Sequence, residues 1–393
     1  MRKLLIISLD ALGDVFFERM LTRPHFAALA ARSAVRRGVE SVFLTNTYPI
    51  HTSVATGVTP EAHGLINNTE PFPKRHPRWC YEARQIKAKT LWQAAAEKGL
   101  TTATVMWPVT GGDKSIRWNI PEILTLPGES QVRQNLRYGS VRLQLAAVLR
   151  HRALMKGIPH QPTVDVFATA CMVDILREKK PDLAMMHLTG FDTFCHKYGL
   201  AAAELDTAMD TLDGNLGKLL DAAGTDTDVI VFSDHAQLDV RTRLLPNEIL
   251  QKAGKLDIKD DVYVEDEAKC FFECSGGVAF LHQGQLDATE IATIRAKVEA
   301  LKGFARFLTD DEMRVCGRAG LAFGFAVQAG YACEAYDGKE ERANHGYPVD
   351  YEGYKVFYMA CGPSFPKGTV WGGSLLDIAP MAAARLGLAG FAQ

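Results

Sequence analysis

Residues 3–10, KLLIISLD, decide the fold, because an apolar run rich in Leu and Ile ends there at a carboxylate. The arrangement recurs twice: DLAMMHL at 182–188 runs into TGFD at 189–192, and DVIVF at 228–232 precedes SDH at 233–235. Short apolar runs bounded by turn residues are typical of buried parallel strands. Helical patterns alternate with them, so the sequence predicts an α/β fold with a mostly parallel central sheet flanked by helices on both faces.

Several elements follow from local patterns. Glu204–Ala223 carries apolar residues at steps of four, three, four and three, which is typical of an amphipathic helix. Thr90–Lys98 indicates a helix closed by Gly99, and Thr101–Met106 indicates the strand after it. Val39–Leu44 is a further candidate strand.

The composition argues against several classes of protein. The chain of 393 residues is 47% hydrophobic with a formal charge of −2, which offers no basic surface to a nucleic-acid polymer or an anionic membrane. No apolar run approaches the ~18 residues of a membrane span, and Asp10 interrupts the N-terminal run too early for a signal peptide. The eight cysteines are scattered, as reduced thiols would be. We therefore expect a cytoplasmic protein that begins at Met1 and has no nucleic-acid polymer or membrane as partner. The oligomeric state has no signature.

Two stretches fit the alternating pattern poorly. Leu244–Ala332 mixes strand-like and helical patterns, so we expect a small inserted α+β cap at 244–332, with 1–243 and 333–393 forming the catalytic core. Ser115–Gln161 is arginine-rich and helical. A solvated helix face is the simpler interpretation of it, and an anion-binding lid is the alternative.

Acidic and imidazole side chains gather where strands are expected to end. In open α/β sheets, ligands bind beyond the carboxyl ends of the strands. Six such side chains suffice for two metal ions with three ligands each, and mixed carboxylate and imidazole donors favour zinc, although manganese or iron would also fit. Each residue alone also has a structural interpretation as a polar loop residue. The six candidates are Asp10, Asp192, His196, Asp234, His235 and His345.

Their spacing adds detail to this hypothesis. Asp192 and His196 are four residues apart, so one helical turn would bring both to the same side, as two ligands of one ion require. His345 lies in ANHGY at 343–347, where Gly346 allows a sharp turn.

Thr47 lies between the first two of these ligands in sequence. Pro49 is a favoured first-turn residue, so we expect a helix to begin near Pro49 with Thr47 at or just before its N-cap. The free N–H groups and the positive dipole end there suit a phosphoryl group. Capping alone is the simpler role. A threonine is a poor nucleophile unless a base or metal lowers its pKa, which the predicted metal pair would do.

Together these motifs resemble the type I phosphodiesterase/nucleotide pyrophosphatase family of the alkaline phosphatase superfamily. The resemblance covers nearly the whole chain and implies an alkaline-phosphatase-like fold. The similar stretches occur in the family's order: SLDALG (8–13), TYPIHTSVATGVTPEAHGLINN (47–68), TVMWPVTGG (104–112), FDTFCHKYG (191–199), VFSDH (231–235), NHGY (344–347), MACGPSFPKG (359–368) and LLDIAPMAAARLGL (375–388).

The resemblance also implies roles for single residues. Thr47 falls on the nucleophile, and Asn68 falls on an asparagine that helps to bind the phosphoryl oxygen. Two zinc sites are implied, one formed by Asp10, Asp234 and His235 and the other by Asp192, His196 and His345.

Departures from the family pattern bear on the substrate. Tyr48 keeps the aromatic position that stacks on a leaving-group base, but His187 stands where nucleotide-cleaving members have a tyrosine on the other side of that stack. Ala236 and Gln237 replace the usual Gly-Met after S-D-H, so the rim of the metal site is expected to differ.

The resulting hypothesis is a two-zinc phosphodiesterase or nucleotide pyrophosphatase that uses a phosphothreonine intermediate. Its substrate would be a small-molecule phosphoester, a nucleotide being one candidate. The alternatives are phosphonoacetate hydrolase-like or phosphomonoesterase activity at the same site, and a pseudoenzyme that binds metal and phosphoesters without cleaving them.

Overall fold

The computed structural model describes residues 3–70, 78–259, 262–263, 270–317, 320–335, 340–368 and 372–391. The strands are β1 (Lys3–Leu9), β2 (Ala34–Val39), β3 (Thr102–Val105), β4 (Trp118–Ile120), β5 (Leu183–Leu188), β6 (Thr227–Ser233), β7 (Leu238–Leu244), β8 (Ile258–Lys259), β9 (Val262–Tyr263), β10 (Phe271–Ser275), β11 (Val278–His282), β12 (Phe304–Phe307), β13 (Leu321–Val327), β14 (Gly330–Cys333), β15 (Ala343–Asn344) and β16 (Val356–Cys361). The helices are α1 (Phe17–Met20), α2 (Pro24–Arg32), α3 (Thr47–Thr56), α4 (Pro60–His63), α5 (Leu91–Glu97), α6 (Gln131–Tyr138), α7 (Val141–Arg150), α8 (Thr163–Asp174), α9 (Gly190–Tyr198), α10 (Glu204–Ala223), α11 (Asn247–Lys252), α12 (Ala288–Glu299), α13 (Asp310–Cys316) and α14 (Ile378–Leu386).

A seven-stranded sheet of order β2-β16-β6-β1-β5-β3-β4 forms the centre. β6, β1, β5, β3 and β4 run parallel, whereas β16 runs antiparallel to both β6 and β2. Alternate residues of β1 enter opposite apolar clusters: Leu4 and Ile6 pack on the side of α3, α5 and α14, and Leu5 and Ile7 pack on the side of α2, α8 and α10. The prediction of a mostly parallel sheet covered on both faces is confirmed.

The long amphipathic helix has the predicted bounds. α10 spans Glu204–Ala223, and its apolar stripe is at most 2% exposed. The stripe consists of Leu205, Met209, Leu212, Leu216 and Leu219.

The prediction of a strand over Val39–Leu44 was wrong. β2 lies earlier, at Ala34–Val39, where it pairs with β16. Phe43 and Leu44 are buried because they pack in one apolar cluster with Phe280 of β11, not because they pair in a strand. The chain thereby leaves the sheet and approaches Thr47.

A second, antiparallel sheet of order β10-β11-β13-β12 lies within residues 244–332. β7 and β14, at the two ends of this segment, pair in parallel, so the chain leaves and returns at neighbouring positions. The division into a core at 1–243 and 333–393 and a cap at 244–332 stays a prediction.

The arginine-rich stretch forms α6 and α7, and α6 buries none of its residues. Arg150 of α7 pairs with Asp174 at 2.9 Å and also with Glu178. These contacts support the interpretation as a solvated helix face. Across the described ranges, no helix combines the length and the apolar character that crossing a membrane requires.

Replacing Leu216 with alanine tests the buried face of α10. Leu216 is 0% exposed, so Leu216→Ala should lower the free energy of unfolding by about 2–5 kcal/mol through the cavity it leaves. Lys218→Ala, on the exposed side of the same helix, should change it by less than about 0.5 kcal/mol. Urea unfolding followed by circular dichroism measures both, and equal losses would contradict the assigned face.

Candidate active site

Two neighbouring strands bring three of the six candidate ligands together. β1 and β6 pair with Leu9 opposite Ser233, so Asp10 and the Asp234–His235 pair leave the sheet side by side. Their ligand atoms lie within 4.8 Å of one another, and all three residues are at most 3% exposed. We call Asp10, Asp234 and His235 the inner group.

The remaining three candidates form a second group, which we call the outer group: Asp192, His196 and His345. Asp192 and His196 lie one turn apart on α9, with Asp192 Oδ1 3.3 Å from His196 Nε2. Their side chains are 17% and 19% exposed, so this group is open to solvent while the inner group is not. The groups adjoin, since the rings of His235 and His345 are 4.3 Å apart. Each group could hold one metal ion.

The three histidines share one orientation. In each, Nδ1 lies near an oxygen atom, which leaves Nε2 available to bind a metal ion. This is the usual arrangement of metal-ligating histidines, whose second nitrogen is held by a hydrogen bond. The acceptors are the Ala236 carbonyl for His235 (3.2 Å), the Glu341 carboxylate for His196 (3.3 Å) and Asn46 Oδ1 for His345 (2.9 Å).

Two residues that contact the candidate ligands, Asn46 and Glu341, were not predicted from the sequence. Asn46 is the N-cap residue of α3, and its place beside Thr47 is a signal that could have singled it out. Glu341 had no such signal. Gln237, noted only as a departure at the rim, donates from Nε2 to Asp192 Oδ1. The altered rim therefore holds a ligand of the outer group in place.

Burial controls the protonation of the ligands. It lowers the pKa of His235 to about 4 and that of His345 to about 3, so both imidazoles are neutral at pH 7. Burial raises the pKa of Asp234 to about 6, and burial together with Asp192 and Asp234 raises the pKa of Asp10 well above its ordinary value. A cation between these carboxylates would relieve their repulsion.

The inner group also suits a cation because two of its buried carboxylate oxygens lack a hydrogen-bond partner. Asp234 Oδ1 accepts hydrogen bonds from the N–H groups of Ala11 (3.1 Å) and His235 (2.9 Å). Asp234 Oδ2 and Asp10 Oδ1 are buried without a hydrogen-bond partner among the described residues. Both face His235 Nε2, at 3.4 Å each. Buried carboxylate oxygens are costly unless paired or bound to metal, so this donor set suits a divalent ion.

Thr47 begins α3, two residues before the predicted start near Pro49. Pro49 is the third helical residue, where its missing N–H costs nothing because the first N–H groups of a helix have no partner in it. Thr47 is therefore inside the helix, and Asn46 precedes it as the N-cap. Thr47 Oγ1 lies 3.2 Å from His235 Nε2 and is thus next to the inner group.

Asn68 is fixed against the start of the same helix. Its Oδ1 accepts a hydrogen bond of 2.9 Å from the backbone N–H of Tyr48. Asn68 is 9% exposed and Thr47 is 7% exposed, so both lie just below the surface of the cleft.

Tyr48 and His187, the two residues expected to bear on the substrate, do not form an open slot, and their binding of substrate stays a prediction. Tyr48 is 0% exposed and packs on Trp79. His187 is also 0% exposed, with Nε2 3.1 Å from Asp10 Oδ2. The alternation of β5 explains this, because position 187 faces the same side as Leu183 and Met185, towards α3 and beneath Asp10.

The fold and the site define an α/β protein with two adjoining acid–histidine groups at the carboxyl edge of a mostly parallel sheet. A sequence model of the type I phosphodiesterase / nucleotide pyrophosphatase family matches residues 4–316, and the chain belongs to this family. The resemblance inferred from the motifs is thereby confirmed.

The curated relatives are distant. Human ectonucleotide pyrophosphatase/phosphodiesterase family member 1 is 25% identical over 206 residues, which cover 50% of this chain and 19% of that protein. Venom phosphodiesterase 2 of Crotalus adamanteus is 22% identical over 260 residues, covering 60% of this chain and 27% of that protein. This chain therefore matches only roughly a fifth to a quarter of the length of these relatives.

Solved structures share the fold. Murine ectonucleotide pyrophosphatase / phosphodiesterase 5, in an inactive form in complex with AMP, has a TM-score of 0.72 at 17% identity and covers 98% of this chain and 95% of its own. The human protein of the same name has a TM-score of 0.69 at 17% identity. The alkaline-phosphatase-like fold expected from the motifs is confirmed.

Metal binding at the inner group should weaken in acid. Asp234, with a pKa of about 6, must lose its proton before it can bind a cation, so protons compete below that pH. Zinc affinity should fall roughly tenfold per pH unit below about pH 6 for one competing proton. Equilibrium dialysis at about pH 7.5 and about pH 5, with metal analysis, measures this. Equal affinities would contradict the assignment.

Proposed function

We propose that the protein is a two-zinc phosphodiesterase or nucleotide pyrophosphatase that acts through a phosphothreonine intermediate. The observation that carries the proposal is the position of Thr47, whose Oγ1 lies at the N-terminus of α3 and 3.2 Å from His235 of the inner group. Membership of the type I phosphodiesterase / nucleotide pyrophosphatase family supports this reaction class.

The inner and outer groups would each hold one ion, and their mixed carboxylate and imidazole donors favour zinc. When bound, the ions supply Lewis acidity, which lowers the pKa of a hydroxyl or water and stabilises charge on the attacking and leaving oxygens. Asn46 and Glu341 hold the imidazoles in the ligating tautomer.

In the first step, Thr47 Oγ gives its proton to solvent water and attacks phosphorus. The Oγ–P bond forms while the ester or anhydride P–O bond breaks, and the leaving oxygen takes the electron pair. The first-turn N–H groups of α3 and the NH₂ group of Asn68 are donors for the non-bridging oxygens, where negative charge develops. In the second step, water attacks phosphorus, the Oγ–P bond breaks and Thr47 regains its proton.

The surroundings of Thr47 set the direction of attack. His51 donates from Nδ1 to the Thr47 carbonyl at 2.7 Å, which fixes the first turn of α3. The inner group is buried and the outer group is open. The leaving group therefore departs on the side of Asp192 and His196.

A phosphonoacetate hydrolase-like activity is the second candidate. The burial of Tyr48 and His187 favours it, because neither ring offers an exposed face on which a nucleotide base could stack. We also propose that the substrate is a small molecule and that the protein is cytoplasmic, as the sequence leads us to expect.

One assay separates these candidates. The zinc-loaded protein is offered bis(p-nitrophenyl) phosphate, p-nitrophenyl phosphate and phosphonoacetate in parallel. We expect the diester to give the highest kcat/KM. A preference for phosphonoacetate or for the monoester would select the corresponding alternative, and no turnover of any of the three would indicate a pseudoenzyme.

Thr47→Ala should abolish turnover while zinc remains bound, because the variant removes the nucleophile but none of the six ligands. We expect kcat to fall by roughly 10³-fold or more. Thr56→Ala, in the last turn of the same helix, removes a hydroxyl that donates to the Thr52 carbonyl and should retain activity. Retained activity in Thr47→Ala would end the nucleophile assignment.

Asn68→Ala should lower kcat on the diester by roughly 10²-fold, because a donor to the developing charge is lost. Zinc content should stay as in the wild type, since Asn68 belongs to neither ligand group. Steady-state kinetics and metal analysis on the same preparation measure both quantities. An unchanged kcat would show that Asn68 only supports the start of α3.

A further inference from the structure

The charge of the chain is unevenly distributed. Although the whole chain has a formal charge of −2, residues 130–164 contain six basic residues and no Asp or Glu. We call residues 130–164 the basic segment. A total charge averages over the chain, so the expectation of no membrane partner, which rested on that total, does not cover this segment. The basic residues, all exposed, are Arg133, Arg137, Arg142, Arg150, Arg152 and Lys156.

Helix α7, inside the basic segment, turns its large apolar side chains outward. It buries Gln144 and Ala147, whereas Leu145 is 51% exposed and Leu149 is 75% exposed. Eight large apolar side chains are exposed in the described part of the chain, and five of them lie in the basic segment. Single exposed apolar residues are ordinary, but a cluster of them marks a binding surface. Four of the five form a stripe on one side of α7: Val141, Leu145, Val148 and Leu149.

Contacts of its polar residues hold α7 in this orientation. Gln144 Nε2 donates to the carbonyl oxygen of Asn135 in α6 at 2.8 Å. At the other end of α7, Arg150 pairs with Asp174 at 2.9 Å, and His151 Nε2 lies 2.8 Å from the same carboxylate. The helix therefore cannot turn its leucines inward without breaking these contacts.

Most of the positive charge beside the stripe is not neutralised within the protein. Asp174 and Glu178 face α7, and both pair with Arg150. Arg142, next to Val141, and Arg152, just after α7, form no ion pair with another described residue. A solvated helix face accounts for Arg150, but it does not account for leucines exposed between unpaired arginines.

The partner of this surface must offer both an apolar medium and negative charge. A second copy of the chain would bring arginines against arginines, which repel each other. A nucleic acid would attract the arginines through its phosphates but would leave the leucines in water. An anionic lipid bilayer meets both requirements, because the apolar side of a helix enters the acyl boundary while arginines extend to the phosphates.

We propose that the basic segment binds the surface of an anionic lipid bilayer. Helix α7 lies flat in the interface, with Leu145 and Leu149 among the acyl chains and Arg142 and Arg152 at the headgroup phosphates. A helix of ten residues lies on the bilayer and does not cross it, so binding is reversible. The inference is independent of the metal groups and of the proposed reaction, since α7 contributes no residue to either group.

Vesicle co-sedimentation tests the proposal with the full-length, zinc-loaded protein. We expect binding to vesicles of phosphatidylcholine mixed with phosphatidylglycerol, and at least roughly tenfold weaker binding to phosphatidylcholine alone. Raising the salt concentration from about 0.1 M to about 0.5 M should weaken binding to the anionic vesicles, because salt screens the arginines. Equal binding to both kinds of vesicle, or binding to neither, would overturn the proposal.

The apolar stripe is tested by a double variant. Leu145→Gln with Leu149→Gln should weaken binding to the anionic vesicles by roughly tenfold or more, because two side chains no longer enter the acyl boundary. Its turnover of bis(p-nitrophenyl) phosphate in solution should equal that of the wild type. The control is Val15→Gln, which removes an apolar side chain that is 54% exposed outside the basic segment and should bind as the wild type does. Unchanged binding of the leucine variant would overturn the proposal.

The arginines are tested against a variant with the same loss of charge elsewhere. Arg142→Gln with Arg152→Gln should weaken binding to the anionic vesicles by roughly tenfold. Lys297→Gln with Lys302→Gln, which removes two exposed charges outside the basic segment, should have little effect. Equal losses in both would show that total charge, not this surface, attracts the lipid. Sedimentation velocity adds a further check: a wild-type dimer that the leucine variant dissociates would assign the stripe to a second copy and overturn the proposal.

Discussion

Two carboxylates buried side by side are the constraint on which the site depends. Asp10 and Asp234 leave adjacent parallel strands at the same level, because β1 and β6 pair in register up to Leu9 and Ser233. Neither carboxylate is more than 3% exposed, and burial raises the pKa of both. Two buried carboxylates at neighbouring strand ends are stabilised only when positive charge is supplied. Because the imidazoles beside them are neutral, a metal ion is a suitable source of that charge.

The second sheet completes this arrangement. Asn46 accepts a hydrogen bond from His345 and donates one from Nδ2 to Ser275 Oγ at the end of β10. One amide therefore joins α3, the outer group and the second sheet. Gly346, with a φ of +81°, has no room for a side chain, because a Cβ there would lie 1.8 Å from the Ser275 carbonyl oxygen. The position of His345 therefore depends on residues 244–332 as well as on the central sheet.

The parts of the fold that follow from local pattern were predictable. α10 has the bounds that its apolar stripe indicates, and Asp10, Asp192 and Asp234 follow strands because apolar runs precede them. A local sequence pattern does not show which face of the sheet a strand residue points to, or which residues tertiary packing brings close to it. The sequence marked His187 only as a departure at a position that bears on the substrate, whereas strand alternation turns it beneath Asp10. Glu122 comes near His187 only through tertiary packing.

In the proposed reaction, Thr47 forms a covalent bond to phosphorus next to the inner group. Rapid acid quenching of the zinc-loaded wild-type protein during its first turnover of bis(p-nitrophenyl) phosphate, followed by mass spectrometry of the peptide that contains Thr47, tests it most directly. We predict a p-nitrophenylphosphoryl adduct on Thr47 that forms and then decays. First-turnover product release with Thr47 unmodified at every quench time would contradict it.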